Sequence, residues 1–107
     1  MRLAILVLMS AYLVVSYDID DPEGYSGYVP AVRDLLVKHG AEIVVADFEA
    51  VPLEGEKRGV YVVLKFASEE AALARYNDPD YEPVRKIRLD SCSHGNMVIV
   101  KEFTVPT

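Results

Sequence analysis

The sequence predicts an α+β domain in which a four-stranded antiparallel sheet carries its helices on one face, in the order β-α-β-β-α-(α)-β. Three observations predict it. Residues 12–15, 43–46, 60–64 and 97–100 are apolar at every position, as in strands covered on both faces. Apolar residues recur at helical spacing between the first two runs, and a capped, alanine-rich segment follows the third. The chain has 107 residues, which supply few helices to cover both faces, so the second face needs a partner, and a further copy of the chain is the simplest.

Strand one is read over residues 11–19, rich in valine and tyrosine and ended by the turn cluster Asp18, Asp20, Asp21 and Pro22. Asp21 is a natural N-cap, Pro22 suits the first helical position, and Glu23 is favoured by the helix dipole. Tyr25, Tyr28, Val29, Val32, Leu35, Leu36 and His39 then recur at three- and four-residue spacing, giving an amphipathic helix that Gly40 stops. Gly24, Gly27 and Pro30 weaken its first turns, with a kink expected at Pro30.

Strand two is read over residues 42–48, and the polar connection from Pro52 to Gly59 makes a long hairpin to strand three at residues 60–66. Ser68 caps the next helix, Glu69 and Glu70 fill its first turn, and Ala71, Ala72, Leu73 and Tyr76 continue it. Asn77, Asp78 and Pro79 break it. A third helix starts at Asp80, tolerates Pro83 in its first turn and runs through Val84, Ile87 and Arg88. His94, Gly95 and Asn96 are read as a turn into the last strand, residues 97–103.

This order is the ferredoxin-like split βαβ arrangement. Period-two counting assigns Leu13, Val15, Tyr17, Val62, Leu64 and Phe66 to the helix-covered face, and Tyr12, Val14, Ser16, Tyr61, Val63 and Lys65 to the open one. A standard interface buries about 800 Å² per partner. Its apolar share is worth on the order of 20 kcal/mol gross, which association costs only partly offset, so a homodimer is expected.

Residues 10–104 are read as one domain and residues 1–9 as an N-terminal extension. Arg2 followed by an apolar run has the look of a signal peptide. No small-residue cleavage site closes that run, however, and cleavage near Ser16 would remove the first strand. The apolar stretch from Leu3 to Val15 is also too short for a membrane span, which needs ~20 residues. A net charge of −6 and a pI near 4.8 oppose nucleic-acid binding, and the short basic cluster Arg85, Lys86 and Arg88 reads as a solvated helix face. Cys92 is the single cysteine, so no internal disulfide forms and a cytoplasmic location is expected.

Several short motifs share a recognisable spacing: Asp21-Pro22-Glu23 with Tyr28, His39-Gly40, Glu54-Gly55, Phe66-Ala67-Ser68 with Ala71-Ala72, Tyr76 with Asp78-Pro79 and Tyr81, and then Arg88. On these the chain resembles the domain of unknown function 1330 family of the dimeric α+β barrel superfamily. The block from Phe66 to Arg88 is the most specific part. The chain departs from the usual pattern at Gly40-Ala41, where a second glycine is common. The resemblance implies a ferredoxin-like protomer and two sheets packed face to face in a homodimer, with no established reaction. Small monooxygenases, lactone isomerases and haem-dependent enzymes share that superfamily, so the fold leaves the chemistry open.

His39 and His94 are the only imidazoles, too few for a three-histidine metal site. His39 is the best proton-transfer candidate, although its place at a helix C-terminus equally suits a structural cation. His94, in its expected turn, reads as a surface residue. Arg88 follows Tyr81 by seven positions on one side of the third helix, and together they can hold a carboxylate or enolate. Alternatively Arg88 pairs with Asp78, Asp80 or Glu54 and only pins the long loop. Glu54 is either that partner or a general base. Asp18 and Ser16 share a strand face with Tyr12 and line an interior cleft, unless Asp18 merely frays the strand into its turn. The seven tyrosines can floor an aromatic pocket. No ligand environment for haem and no glycine fingerprint for flavin or nicotinamide is present, so no cofactor is expected.

The expected function is therefore a homodimeric small-molecule-binding protein, read as a cofactor-independent isomerase- or monooxygenase-like enzyme for a small acidic or aromatic metabolite. His39 and Asp18 are its catalytic candidates, and Tyr12, Ser16, Glu54, Tyr81 and Arg88 its substrate-binding ones. The alternatives are a non-catalytic ligand-binding or stress-associated dimer and a purely structural dimerisation module.

Overall fold

The computed structural model describes residues 9–104. Its elements are β1 (Ala11–Ile19), α1 (Pro22–Tyr25), α2 (Tyr28–Lys38), β2 (Glu42–Asp47), β3 (Val60–Phe66), α3 (Glu69–Tyr76), α4 (Tyr81–Ser91) and β4 (Cys92–Lys101). The strands form one four-stranded sheet in the order β2-β3-β1-β4, every pair antiparallel, with the helices on one face. This is the ferredoxin-like α+β architecture. The extension expected over residues 1–9 lies outside the described residues, apart from Met9. Among the described residues no helix is long and apolar enough to cross a membrane.

Helix ends follow local chemistry. Asp21 accepts the Gly24 N–H at 3.1 Å, and Pro22 occupies the first position of α1. At the end of α2, Gly40 takes φ +68°, its N–H reaches the Val37 carbonyl at 3.1 Å and the Ala41 N–H reaches the Leu36 carbonyl at 2.8 Å. That is a complete Schellman motif. It needs one left-handed residue, Gly40, so an alanine serves at position 41. Ser68 Oγ accepts the Ala71 N–H at 3.1 Å and caps α3. Ser68→Ala should therefore cost about 1 kcal/mol in a urea titration, with the slope unchanged.

Two expectations are corrected. The first helix is not one kinked rod but two, broken at Ser26 and Gly27, while Pro30 sits in the first turn of α2. There its missing N–H has no intrahelical partner to lose. The last strand also begins at Cys92 directly from α4, with no separating turn at His94, Gly95 and Asn96. The Ser91 carbonyl accepts the N–H groups of Asp20 and Asp21 at 2.9 and 3.0 Å, which pins the chain beside the end of β1 as α4 finishes. His94 instead lies in a bulge within β4: its φ is +54°, and the register with β1 shifts between Ser16 and Asp18.

The core lies between sheet and helices. Leu13, Val15, Tyr17, Leu64 and Phe66 of the sheet pack with Tyr25, Tyr28, Val32, Leu35, Leu36, Ala72 and Tyr81 of the helices. On the other face, Val45, Val63, Val14 and Val98 stand side by side across all four strands. Val14, Val45 and Val98 keep 37%, 39% and 46% of their surface exposed, which leaves a bare valine row in the middle of the sheet.

Candidate functional site

The polar chemistry of the core gathers where α3 and α4 meet β1 and α2. Seven residues separate Tyr81 from Arg88, two turns on one side of α4, and both are buried. The small side chains Ala71 and Ala72 let α3 approach the sheet, and Arg75, one turn later on the same face, is carried inward until 2% of it is exposed. The Tyr28 and Tyr81 hydroxyls are 3.2 Å apart. The Arg75 guanidinium lies 4.4 Å from the centroid of the Tyr81 ring, and that of Arg88 lies 5.9 Å from the Tyr17 centroid. Tyr17 and Tyr25 share a hydroxyl hydrogen bond of 2.5 Å, and the Tyr25 ring stacks at 5.5 Å against Tyr28.

Among the described residues these two guanidiniums have no carboxylate partner. Arg88 pairs with none of Asp78, Asp80 or Glu54, contrary to the loop-pinning alternative. Asp78 is taken by Lys38 and His39 at 2.8 Å each, Asp80 faces Lys38 at 3.7 Å, and Glu54 is exposed in the β2–β3 connection. Nε and Nη1 of Arg75 and Nε of Arg88 are buried without a hydrogen-bond partner among the described residues. Such groups cost roughly 1–3 kcal/mol each when left unmade, and more when charged.

Burial and the two guanidiniums pull the surrounding phenols in opposite directions. Burial pushes the Tyr81 phenol up, but the Tyr28 hydrogen bond and the charges of Arg75 and Arg88 outweigh it, so Tyr81 ionises below the usual tyrosine range. Burial holds Tyr17, Tyr25 and Tyr28 above that range. In the Tyr28–Tyr81 pair Tyr81 is therefore the phenol that gives up its proton first. Burial disfavours the Arg88 cation, and Tyr81 and Tyr28 beside it more than restore it.

The remaining sequence candidates do not join this cluster. Tyr12 and Ser16 lie on the open face of β1, opposite the helices, so within one protomer they do not meet Tyr81 and Arg88. Strand alternation is the reason: even-numbered positions of β1 point away from α4. Asp18 accepts Gly59 N–H at 2.7 Å and Arg58 Nη1 at 2.9 Å, and stands 3.0 Å from His94 Nδ1. The backbone hydrogen bond from Gly59 foremost, then Arg58 and His94, hold its carboxyl below the usual range. His39 caps α2 and contacts Asp78 across to the α3–α4 connection.

Sequence reading missed Arg75. The available signal was its spacing: Arg75 follows Ala72 by three and Ala71 by four positions, on the buried stripe of α3. Beside the cluster, the Tyr76 ring stands 5.7 Å from that of Tyr81 and lies under the Arg85 guanidinium at 5.1 Å. Tyr76 also lines a hollow of about 260 Å³ with Leu13, Leu73, Met97 and Ile99. Two other hollows, over α4 and beside α2, contain none of the seven candidates.

Residues 10–103 match the family described as "Domain of unknown function (DUF1330)". No curated protein matches the sequence significantly. Among solved structures, a protein of unknown function from Rhodopseudomonas palustris is similar with a TM-score of 0.79 at 14% identity, covering 92% of this chain and 85% of that one. A dimeric protein of unknown function and ferredoxin-like fold from Bacteroides fragilis gives 0.60 at 14% identity, over 87% and 96% of the two chains. SnoaB, a cofactor-independent oxygenase from Streptomyces nogalater, gives 0.61 at 12% identity, over 92% and 95%.

Proposed function

The chain belongs to the DUF1330 family, and from that premise we propose that it works as a homodimer whose protomers each bind a small acidic molecule between sheet and helices. One observation carries this reading: Arg75 and Arg88 are both buried, both act on the Tyr81 phenol, and neither has a carboxylate partner among the described residues. A protein that only had to fold would gain by replacing them; a bound anion supplies what they lack. The bare valine row supports the homodimer, as does the dimeric Bacteroides fragilis neighbour of the same fold. In such a dimer Tyr12 and Ser16 belong to the interface. The lone Cys92 suits a reducing cytoplasm.

The same groups suit cofactor-independent proton transfer. Once ionised, Tyr81 can take a proton from a carbon between a carbonyl and a C=C bond, leaving a dienolate whose oxygen is held by Arg88 and Arg75; returning that proton to the far carbon of the dienolate shifts the double bond, completes an isomerisation and restores the phenolate. SnoaB, similar in fold, is described as acting without a cofactor. In this scheme Arg88 keeps the binding role read from the sequence, and Tyr81 takes the proton-transfer role read there for His39 and Asp18. His39 and Asp18 serve the scaffold: one ties α2 to Asp78, the other ties the β2–β3 connection to the end of β1.

Arg88→Ala, with the volume-conserving Arg88→Met beside it, separates the readings on a panel of acidic metabolites. Wild-type protein should bind members of the panel, and both variants should bind them about tenfold or more weakly, the loss of one charge-assisted hydrogen bond. Turnover by the wild type that both variants lose supports the enzyme. Binding without turnover supports the non-catalytic ligand-binding dimer. Equal binding by all three proteins would leave the arginines without a ligand role and overturn the proposal.

A further inference from the structure

Deepening that same reading of the arginine pair, we infer that the ligand is an aromatic carboxylate, its ring seated in the hollow between α3 and strands β1 and β4 and its carboxylate reaching Arg75 and Arg88. The hollow and the cluster are neighbours through one side chain. Tyr76 forms a wall of the hollow and also packs against Tyr81, whose ring in turn carries the Arg75 guanidinium. On the sheet side, Leu13 and Met97 line the hollow, and Met97 pairs with Val15, two residues before the Tyr17 ring that Arg88 covers. A molecule with an apolar body and an anionic end thus has both halves of its site on the same side of the sheet, separated by the Tyr76 ring.

Size and lining choose the body. An apolar cavity of about 150 Å³ takes up benzene. The hollow holds about 260 Å³, enough for one ring and a short side chain. Its walls are Leu13, Leu73, Met97, Ile99 and the Tyr76 ring, with no charged side chain. A methionine sulfur and a tyrosine ring favour an aromatic occupant over a branched aliphatic one. The head group follows from the orphaned donors, Nε and Nη1 of Arg75 and Nε of Arg88, since a carboxylate presents two oxygens to N–H groups of this kind.

Tyr76 is partly buried, at the end of α3, and has no hydrogen bond among the described residues that fixes its hydroxyl. For the carboxylate to reach the arginines the Tyr76 ring has to turn away from Tyr81, against which it packs at 5.7 Å. Leu73 stands at the mouth with 41% of its surface exposed, so a larger side chain there fills the hollow without entering the core.

Benzoate and phenylacetate are the probes, read by the side-chain N–H resonances of the arginines in the full-length protein, with acetate and benzyl alcohol as the two halves. Both aromatic acids should shift the Nε–H signals of Arg75 and Arg88 and bind about tenfold or more tightly than acetate, while benzyl alcohol should leave those signals unmoved. Leu73→Trp should abolish that advantage and keep the acetate response. If acetate shifts the two signals and the aromatic acids bind no better, or if Leu73→Trp leaves their advantage intact, the anion site stands and its aromatic ligand is overturned. If no carboxylate moves either arginine, the reading of the site under the proposed function falls with it.

Discussion

Aspartate in place of Val14 is expected to turn the proposed homodimer into a monomer at micromolar concentration. Val14 occupies the centre of the valine row, between Val63 and Val98, on the strand with neighbours on both sides. If that face packs against a second copy, the substitution buries a carboxylate with no partner. An unpaired buried charge costs several kcal/mol, and ~4 kcal/mol raises a dissociation constant about a thousandfold. The helix-covered core is untouched, because Val14 points away from it. The folded monomer should therefore keep its far-UV spectrum and sediment at half the mass. Val37→Asp makes the same charge change on the outer face of α2, where 75% of the side chain is already in water, and should leave the assembly intact. A Val14→Asp protein that sediments like the wild type would show that the open face is not the interface.

Much of the fold was legible because period and punctuation agree along the chain. The assignment of alternate residues of β1 and β3 to two faces follows from a period of two and needs no tertiary information. Ser68, Asp21 and Gly40 act on their own helix ends, so local chemistry suffices for them. The start of β4 was not legible. His94, Gly95 and Asn96 have turn chemistry, but the hydrogen bonds that Asp20 and Asp21 make to Ser91 come from residues about seventy positions away. The site was half legible for a similar reason. Tyr81 and Arg88 share a helix, and their spacing displays the pair. Tyr12, Ser16 and Asp18 share a strand, yet whether their face meets α4 depends on which side the helices cover. Arg75 was hidden by its type, since an arginine in an alanine-rich helix ordinarily reaches water. A buried arginine without an acid is a departure from sequence rules, and such departures concentrate where a protein meets a ligand.

The same departure yields a stability change of unusual sign. Arg75→Met is expected to make the protein more stable by about 1–3 kcal/mol at neutral pH, while abolishing the arginine response to benzoate. Arg75 is 2% exposed and two of its guanidinium nitrogens have no partner among the described residues, and the folded state bears that desolvation in full. Its stacking on Tyr81 returns at most ~2 kcal/mol. Methionine is unbranched, of similar reach and apolar, so it keeps the packing and removes the unmade hydrogen bonds. The gain should appear as a higher denaturant midpoint at constant slope. Tyr81 supplies a second, independent readout. Its pKa in the folded protein lies below the ordinary 10.0, so its ionisation adds stability above that ordinary value, and the contribution disappears as pH falls through the folded value. Removing one of the two cations raises the folded pKa and withdraws part of this alkaline contribution. The advantage of Arg75→Met should hence be largest near neutrality and shrink as the phenols ionise, with the first ultraviolet tyrosine titration step displaced upward. Loss of stability at neutral pH would mean instead that the guanidinium serves the fold, and the buried arginines would no longer point to an anion from outside the chain.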